Sequence, residues 1–253
     1  MNNRGFLKII VFVFSSVLLL TLPGWGAFAA VETETAQGDF NDIGDQPAEI
    51  QVGIEYSAQR GYMQGYPDGS FHPVELTTRI DFAQAMVVIF GHDGDEPDPS
   101  ITFTDLPPEG PGYVWANLAV KHGLIDILPD GSFGPQKAVL FEEVALGITA
   151  GLDMEDTAQN INNITGSYPT YGGAMTIFMD LHLKYRNSRV WPGGGYPRGE
   201  MAYSLYKLDF VDEWRIGYIE ESFNDDRCSL PSCTDGQFQA VHFGFERLGC
   251  PYV

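Results

Sequence analysis

The sequence predicts a mainly α protein built as a tandem array of helix–loop–helix modules, and three observations predict it. The first is a repeat. Gly65-Tyr66-Pro67-Asp68-Gly69-Ser70-Phe71-His72-Pro73 and Ile127-Leu128-Pro129-Asp130-Gly131-Ser132-Phe133-Gly134-Pro135 are two copies of one design set 62 residues apart. Each places Pro-Asp-Gly before an aromatic and a second proline, the chemistry of a tight turn. The second is the apolar periodicity ahead of each turn: Ile50, Ile54 and Ala58 in one copy, Val114 and Leu118 with Val120 just off the stripe in the other, each run ending at a glycine, Gly61 or Gly123. The third is Thr78-Arg79-Ile80-Asp81, which reads as a capping box opening a second helix that runs to Gly91. Modules that recur in this way bury their cores against one another, and such arrays more often bind than catalyse.

Taken in chain order, the amino end carries Arg4 and Lys8, an apolar run from Ile9 to Leu22, then Ala27-Phe28-Ala29-Ala30. That is a secretory signal peptide over residues 1–29, too short and wrongly flanked for a stable membrane span. Phe40-Asn41-Asp42 and Phe103-Thr104-Asp105 begin the two modules. Their aspartates are expected to cap the helices that follow rather than to bind calcium. Asp93-Gly94-Asp95-Glu96-Pro97-Asp98 lacks the ligand spacing of an EF-hand and reads as a linker, and Gln159 to Ser167 reads as a polar loop. A weaker third copy follows: a helix from Ala174 to Arg186, then Val190-Trp191-Pro192-Gly193-Gly194-Gly195, then Pro197-Arg198-Gly199-Glu200-Met201-Ala202 opening another helix. It has no Phe-x-Asp start. Trp115 belongs in the core and His72 is expected to be solvated; Trp191, beside a proline and three glycines, stands evenly between ligand stacking and an ordinary exposed ring.

The pattern Phe-x-Asp, helix, Gly-Tyr-x-Asp-Gly-x-Phe-x-Pro and Thr-Arg-x-Asp resembles the S-layer homology family, over roughly Phe40 to Leu208. The resemblance implies a pseudo-threefold helical spindle of three helix–loop–helix repeats, at residues 38–95, 101–156 and a degenerate 166–212. It also implies non-covalent anchoring of an exported protein to a secondary cell-wall polysaccharide or a peptidoglycan-linked polymer at the cell surface. Carried over residue by residue, Arg79 and Arg198 would pair with an acidic sugar, and Gly65, Tyr66, Asp68 and Gly69 of the first loop, with Trp191, would line the ligand. The second copy departs from the family at Leu140-Phe141-Glu142-Glu143, where Phe141 stands at the arginine position and offers no planar fork to a carboxylate. At most two grooves are then competent for acidic sugars. No cofactor or metal is expected.

Charge excludes some partners. With 14 basic and 34 acidic residues the net charge is −20, or −22 once Arg4 and Lys8 leave with the signal peptide. Nucleic acid is not a partner for such a chain, nor is a membrane after cleavage. An anionic polymer would be met only locally, under salt that screens the wider field. The three cysteines lie in the last 26 residues, where Cys228 and Cys233 could close a small disulfide loop and Cys250 is odd. Residues 213–253 form a linker and a tail. Within the tail, the run from Asp235 through Leu248-Gly249-Cys250-Pro251-Tyr252 resembles the opening helix of NlpC-type cell-wall cysteine peptidases, and the chain ends before the nucleophile such enzymes carry. Either the tail is the start of a hydrolase domain whose targeting portion precedes it, or it is an ordinary helix stop with Gly249 at the C-cap. On both readings the chain as given has no peptidase activity.

Overall fold

Both Pro-Asp-Gly turns form as their residues dictate. Gly69 and Gly131 take φ of 81° and 77°, a conformation that costs glycine little. Ahead of each glycine an aspartate carboxylate folds back: Asp68 accepts from Ser70 N–H at 3.0 Å, and Asp130 from Ser132 N–H at 3.0 Å. The paired serine hydroxyls donate to the same oxygens and hold both carboxyls below the ordinary aspartate range. Phe71 and Phe133 then turn fully inward. Each meets the phenylalanine of its own Phe-x-Asp segment, Phe40 at 5.2 Å and Phe103 at 5.3 Å between ring centroids. Burying one such ring contributes about 1.5–3 kcal/mol.

The computed structural model describes residues 40–165 and 171–224, and the elements among them are helices. The helices are α1 (Ala48–Gln59), α2 (Arg79–Ile89), α3 (Tyr113–Lys121), α4 (Phe141–Gly151), α5 (Glu155–Thr165), α6 (Gly172–Asp180), α7 (Arg198–Leu208) and α8 (Glu213–Asn224). No described helix is long and apolar enough to cross a membrane. Residues 1–29, read above as a signal peptide, and the tail with Cys228, Cys233 and Cys250 lie outside the described residues.

The repeats are joined by exchange. The first helix of each repeat packs against the second helix of a different one: α1 on α7, α3 on α2, α6 on α4. At the axis the chain passes three times through the same short extended segment, at Thr77, Val139 and Tyr196. Their backbones close a ring: Thr77 N–H donates to Tyr196 C=O at 2.8 Å, Tyr196 N–H to Val139 C=O at 3.0 Å, and Val139 N–H to Thr77 C=O at 2.9 Å. A second tier repeats the pattern one layer out. Arg79, Phe141 and Arg198 donate their N–H groups to Lys137, Gly194 and Glu75. The side chains of Thr77, Val139 and Tyr196 are fully buried on this axis. Architecture is thus mainly α with approximate threefold symmetry, and helices α5 and α8 are added outside the three repeats, α5 packing on both α6 and α8.

Several expectations are corrected. Residues 159–165 are helix rather than loop, because Met154, Ala158 and Ile161 recur at helical spacing and are buried, while Glu155 and Asp156 suit the helix start. The helix expected from Ala174 to Arg186 stops at Asp180, since His182 takes a left-handed φ of 59° and turns the chain. Val114 faces solvent, whereas Ala116, Leu118 and Ala119 make the core face of α3. Asp42 and Asp105 cap no helix. Asp42 accepts the N–H groups of Phe71 and His72, both at 2.8 Å, and Asp105 those of Phe133 and Gly134 at 2.7 and 2.8 Å. Phe-x-Asp is therefore a clamp on the turn, aromatic on aromatic and carboxylate on backbone. The 93–98 stretch is tied down as well: buried Asn117 accepts from Asp98 N–H and donates to the carbonyls of Asp98 and Ile101.

One buried group at the axis is left wanting. The Thr77 hydroxyl has no hydrogen-bond partner, and its counterpart in the second repeat is the near-isosteric Val139. Thr77→Val should raise stability by about 1 kcal/mol, because it removes an unsatisfied buried hydroxyl without opening a cavity. Denaturant unfolding checks this, and a loss of stability would contradict it.

Candidate functional site

The second helices of the three repeats begin at the corners of the axial ring, and their first residues set the chemistry of three interfaces between repeats. Arg79 is 1% exposed and Arg198 3%, far from the free guanidinium groups that pairing with a sugar carboxylate needs. Their donors are taken up inside the protein. Arg79 donates through Nε to Phe133 C=O at 2.7 Å, through Nη2 to Asp126 C=O at 2.5 Å, and through Nη1 to the carboxylate of Glu143. Arg198 repeats this one repeat away: Nε to Phe71 C=O at 3.0 Å, Nη2 to Gln64 C=O at 2.8 Å, Nη1 to Asp81 at 2.9 Å. Each guanidinium also lies over the turn aromatic, 5.1 Å from Phe133 or 4.8 Å from Phe71. Each arginine thus reads the shape of the next repeat's turn and closes on the third residue of its second helix. Both guanidinium groups, expected to pair with an acidic sugar, are thus covered and hydrogen-bonded within the protein.

Asp81 shows the same division of labour. Thr78 caps α2 by accepting from Asp81 N–H at 3.2 Å, as the capping-box reading requires. The Asp81 carboxylate does not complete the box; it turns to Arg198.

The third interface is different. Phe141 stands where the arginine would be, buried and stacked on Tyr196 at 5.2 Å with rings 13° from parallel. The loop opposite is shorter as well. Leu183 N–H donates to Phe178 C=O as Tyr62 N–H does to Ser57 C=O, and Ser188 N–H to Tyr185 C=O as Gly69 N–H does to Tyr66 C=O. Between these matched points the first repeat has Met63, Gln64 and Gly65, and the third has Lys184 alone. The missing stretch includes the carbonyl an arginine would use. Lys184 fills the space: its Nζ donates to Val190 C=O at 2.8 Å and lies 5.2 Å from the Phe141 ring and 5.1 Å from the Trp191 ring. A cation has been moved from the helix start to the loop.

Glu200 is the carboxylate matching Asp81 and Glu143, and it has no arginine. Its Oε2 is buried without a hydrogen-bond partner. Burial pushes its carboxyl above the usual range, opposed only in part by a Ser188 hydrogen bond and the Lys184 charge. Burial likewise lowers Lys184, against the pull of Glu200. Trp191 is 61% exposed above this group.

The other loop residues divide. Tyr66 is exposed on one side, stands edge-on to His72 at 4.5 Å and lies 5.0 Å from the Arg198 guanidinium. Asp68 and Gly69 sit at the exposed turn tip, with the carboxylate already engaged by Ser70. Gly65 is there for packing: a Cβ would come within 2.2 Å of the Phe40 ring. His72 is half-buried, its Nε2 within 2.8 Å of the Ser70 hydroxyl. Trp115 packs against the core as expected. Lys184 and Glu200 were not singled out as site residues; the signals available for them were Phe141 in an arginine position and a loop two residues short.

With this geometry in hand, comparison with known proteins converges on one class. Residues 39–83 match the family model of the S-layer homology domain. The chain is 34% identical over 187 residues to Cell surface glycoprotein 1 of Acetivibrio thermocellus, covering 71% of this chain and 8% of that protein. It is 24% identical over 215 residues to the Middle cell wall protein of Brevibacillus brevis, covering 83% and 19%. It is also 33% identical over 90 residues to the Cellulosome-anchoring protein of Acetivibrio thermocellus, covering 33% and 19%. The chain thus spans less than a fifth of the length of each of these relatives.

The unequal interfaces carry a prediction. Glu143→Gln leaves the buried Arg79 guanidinium without its counter-charge and should cost about 3 kcal/mol, a fall of roughly 6–12 °C in Tm. Glu200→Gln should cost little at neutral pH. A carboxyl raised on folding makes the native state bind more protons, so its contribution falls as pH rises from the ordinary value toward the raised one. The stability of wild type relative to Glu200→Gln should therefore decline as pH is raised from about 4.5. A rising difference over that window, measured by denaturant unfolding at several pH values, would show the carboxylate to be well solvated or paired.

Proposed function

We propose that the chain holds an exported protein on the prokaryotic cell wall by binding an envelope polysaccharide in the clefts between its three repeats. The observation that supports this best is the pairing of an S-layer homology match over residues 39–83 with a ring of backbone hydrogen bonds that closes the three repeats on one another. The binding surface is built from the loop side chains that reach solvent, with the buried arginines beneath them. In the first cleft these are Tyr66 and the exposed tip at Asp68 and Gly69; in the third it is Trp191 above Lys184. An aromatic face stacks on the apolar face of a sugar ring, and an ammonium group beneath it suits a carboxylate or phosphate substituent. The role is one of binding, and the protein is placed outside the cell, on the wall. The overall charge of −20 opposes an anionic polymer at long range, so recognition is short-ranged.

The test is co-sedimentation of the purified protein with cell-wall sacculi. Wild type should pellet with native sacculi and stay in solution after the secondary polymer has been extracted. Trp191→Ala should lower the pelleted fraction several-fold while leaving the melting temperature within a few degrees, because this ring is largely exposed. Raising salt from about 10 to 150 mM, which shortens the screening length from about 30 to 8 Å, should not weaken binding. Equal pelleting on extracted sacculi would overturn the polymer reading.

A further inference from the structure

Away from the clefts, the ends of two helices from different repeats bring together two imidazoles and a carboxylate. The chain leaves α2 through Gly91, at φ 75°, and presents His92, whose N–H is held by Val87 C=O at 2.8 Å. His122 caps the C-terminus of α3, its N–H held by Leu118 C=O at 3.0 Å. Asp95 is folded back over the pair by its N–H on His92 C=O at 3.1 Å. Asp95 Oδ2 lies 2.8 Å from His122 Nε2 and 3.5 Å from His92 Nδ1, and the two rings stack at 3.6 Å. The three ligand atoms lie within 4.8 Å of one another. His122 Nε2 is buried and its near neighbour is the Asp95 carboxylate oxygen, which also faces His92, so one carboxylate is shared between two imidazoles.

We propose that His92, Asp95 and His122 form a binding site for a transition-metal ion of the zinc class, clasping the first repeat to the second. Two imidazole nitrogens and one carboxylate oxygen are a donor set for zinc, nickel, cobalt or copper, while calcium and magnesium call for oxygen throughout. A tetrahedral ion at about 2.0–2.1 Å from each donor needs donors roughly 3.4 Å apart, and water completes the shell. Rings stacked face to face cannot both point at one ion, so binding turns the partly exposed His92 ring about its side chain and breaks the stack. The field at the site favours a cation: the carbonyl ends of α2 and α3 converge there, and Asp93 and Glu96 flank Asp95 in sequence. The neighbouring positive charge, Lys121, is drawn off to Glu96 C=O at 2.9 Å. The proposal is independent of what the clefts bind.

Zinc chloride titrated calorimetrically into the whole chain should show one site that is weakened on the order of tenfold or more by His92→Ala, His122→Ala or Asp95→Asn. At a hundredfold excess over the wild-type Kd, zinc should raise Tm by roughly 5–10 °C in wild type and by about half that or less in these variants. His92 and Asp95 are surface-accessible, so their variants should keep the wild-type circular dichroism even if His122→Ala does not fold. Cobalt bound in place of zinc should give the visible spectrum of nitrogen and oxygen ligation. A thiolate-to-cobalt charge-transfer band would assign the metal to the cysteines and overturn the proposal. Equal zinc affinity in wild type and variants, or no saturable binding, would overturn it too.

Discussion

Everything in this structure depends on a ring of three backbone hydrogen bonds. Thr77, Val139 and Tyr196 each donate to the next around an axis, and the donors are satisfied only when all three segments are present. Backbone groups buried with no partner cost on the order of 1–3 kcal/mol each, so a single repeat cannot close its own centre. The exchange of helices makes the same demand. With α1 on α7, α3 on α2 and α6 on α4, no repeat packs its own two helices together as a finished unit.

The arginines extend this constraint outward. Arg79 and Arg198 each join the start of one repeat's second helix to another repeat's turn and another second helix, through two carbonyls and a carboxylate. The residues a recognition motif presents most plainly are thus part of the frame. What faces solvent near them is the loop layer, with Tyr66 beside Arg198 and Trp191 beside Lys184. Substitution at the third interface shows how tightly the parts are coupled. Loss of the guanidinium at Phe141, a loop two residues shorter and the arrival of Lys184 occur together, and Glu200 keeps its place with one oxygen unsatisfied.

Much of the fold was legible in the residues. The turns at Pro67-Asp68-Gly69 and Pro129-Asp130-Gly131, the helix ends at Gly61 and Gly123, and the cap at Thr78 are local events, governed by φ preferences and side-chain reach within a few positions. Helix α5 was hidden because only a few of its residues are apolar, and their burial depends on α6 and α8 packing over them. The task of Asp42 and Asp105 was hidden for another reason. The backbone amides they hold, at 71–72 and 133–134, are nearly thirty residues further on.

By itself, then, the sequence determined where the repeated turns fall, where the helices at Gly61, Thr78 and Gly123 stop or start, and that one module is used more than once, since each of these is decided among near neighbours. Only the tertiary structure decided which charges remain available. A guanidinium is free or spent according to what packs over it, and Arg79 and Arg198 are covered by turns and helices from other repeats. The same holds for His92, Asp95 and His122, which become neighbours only because α3 of the second repeat lies against α2 of the first.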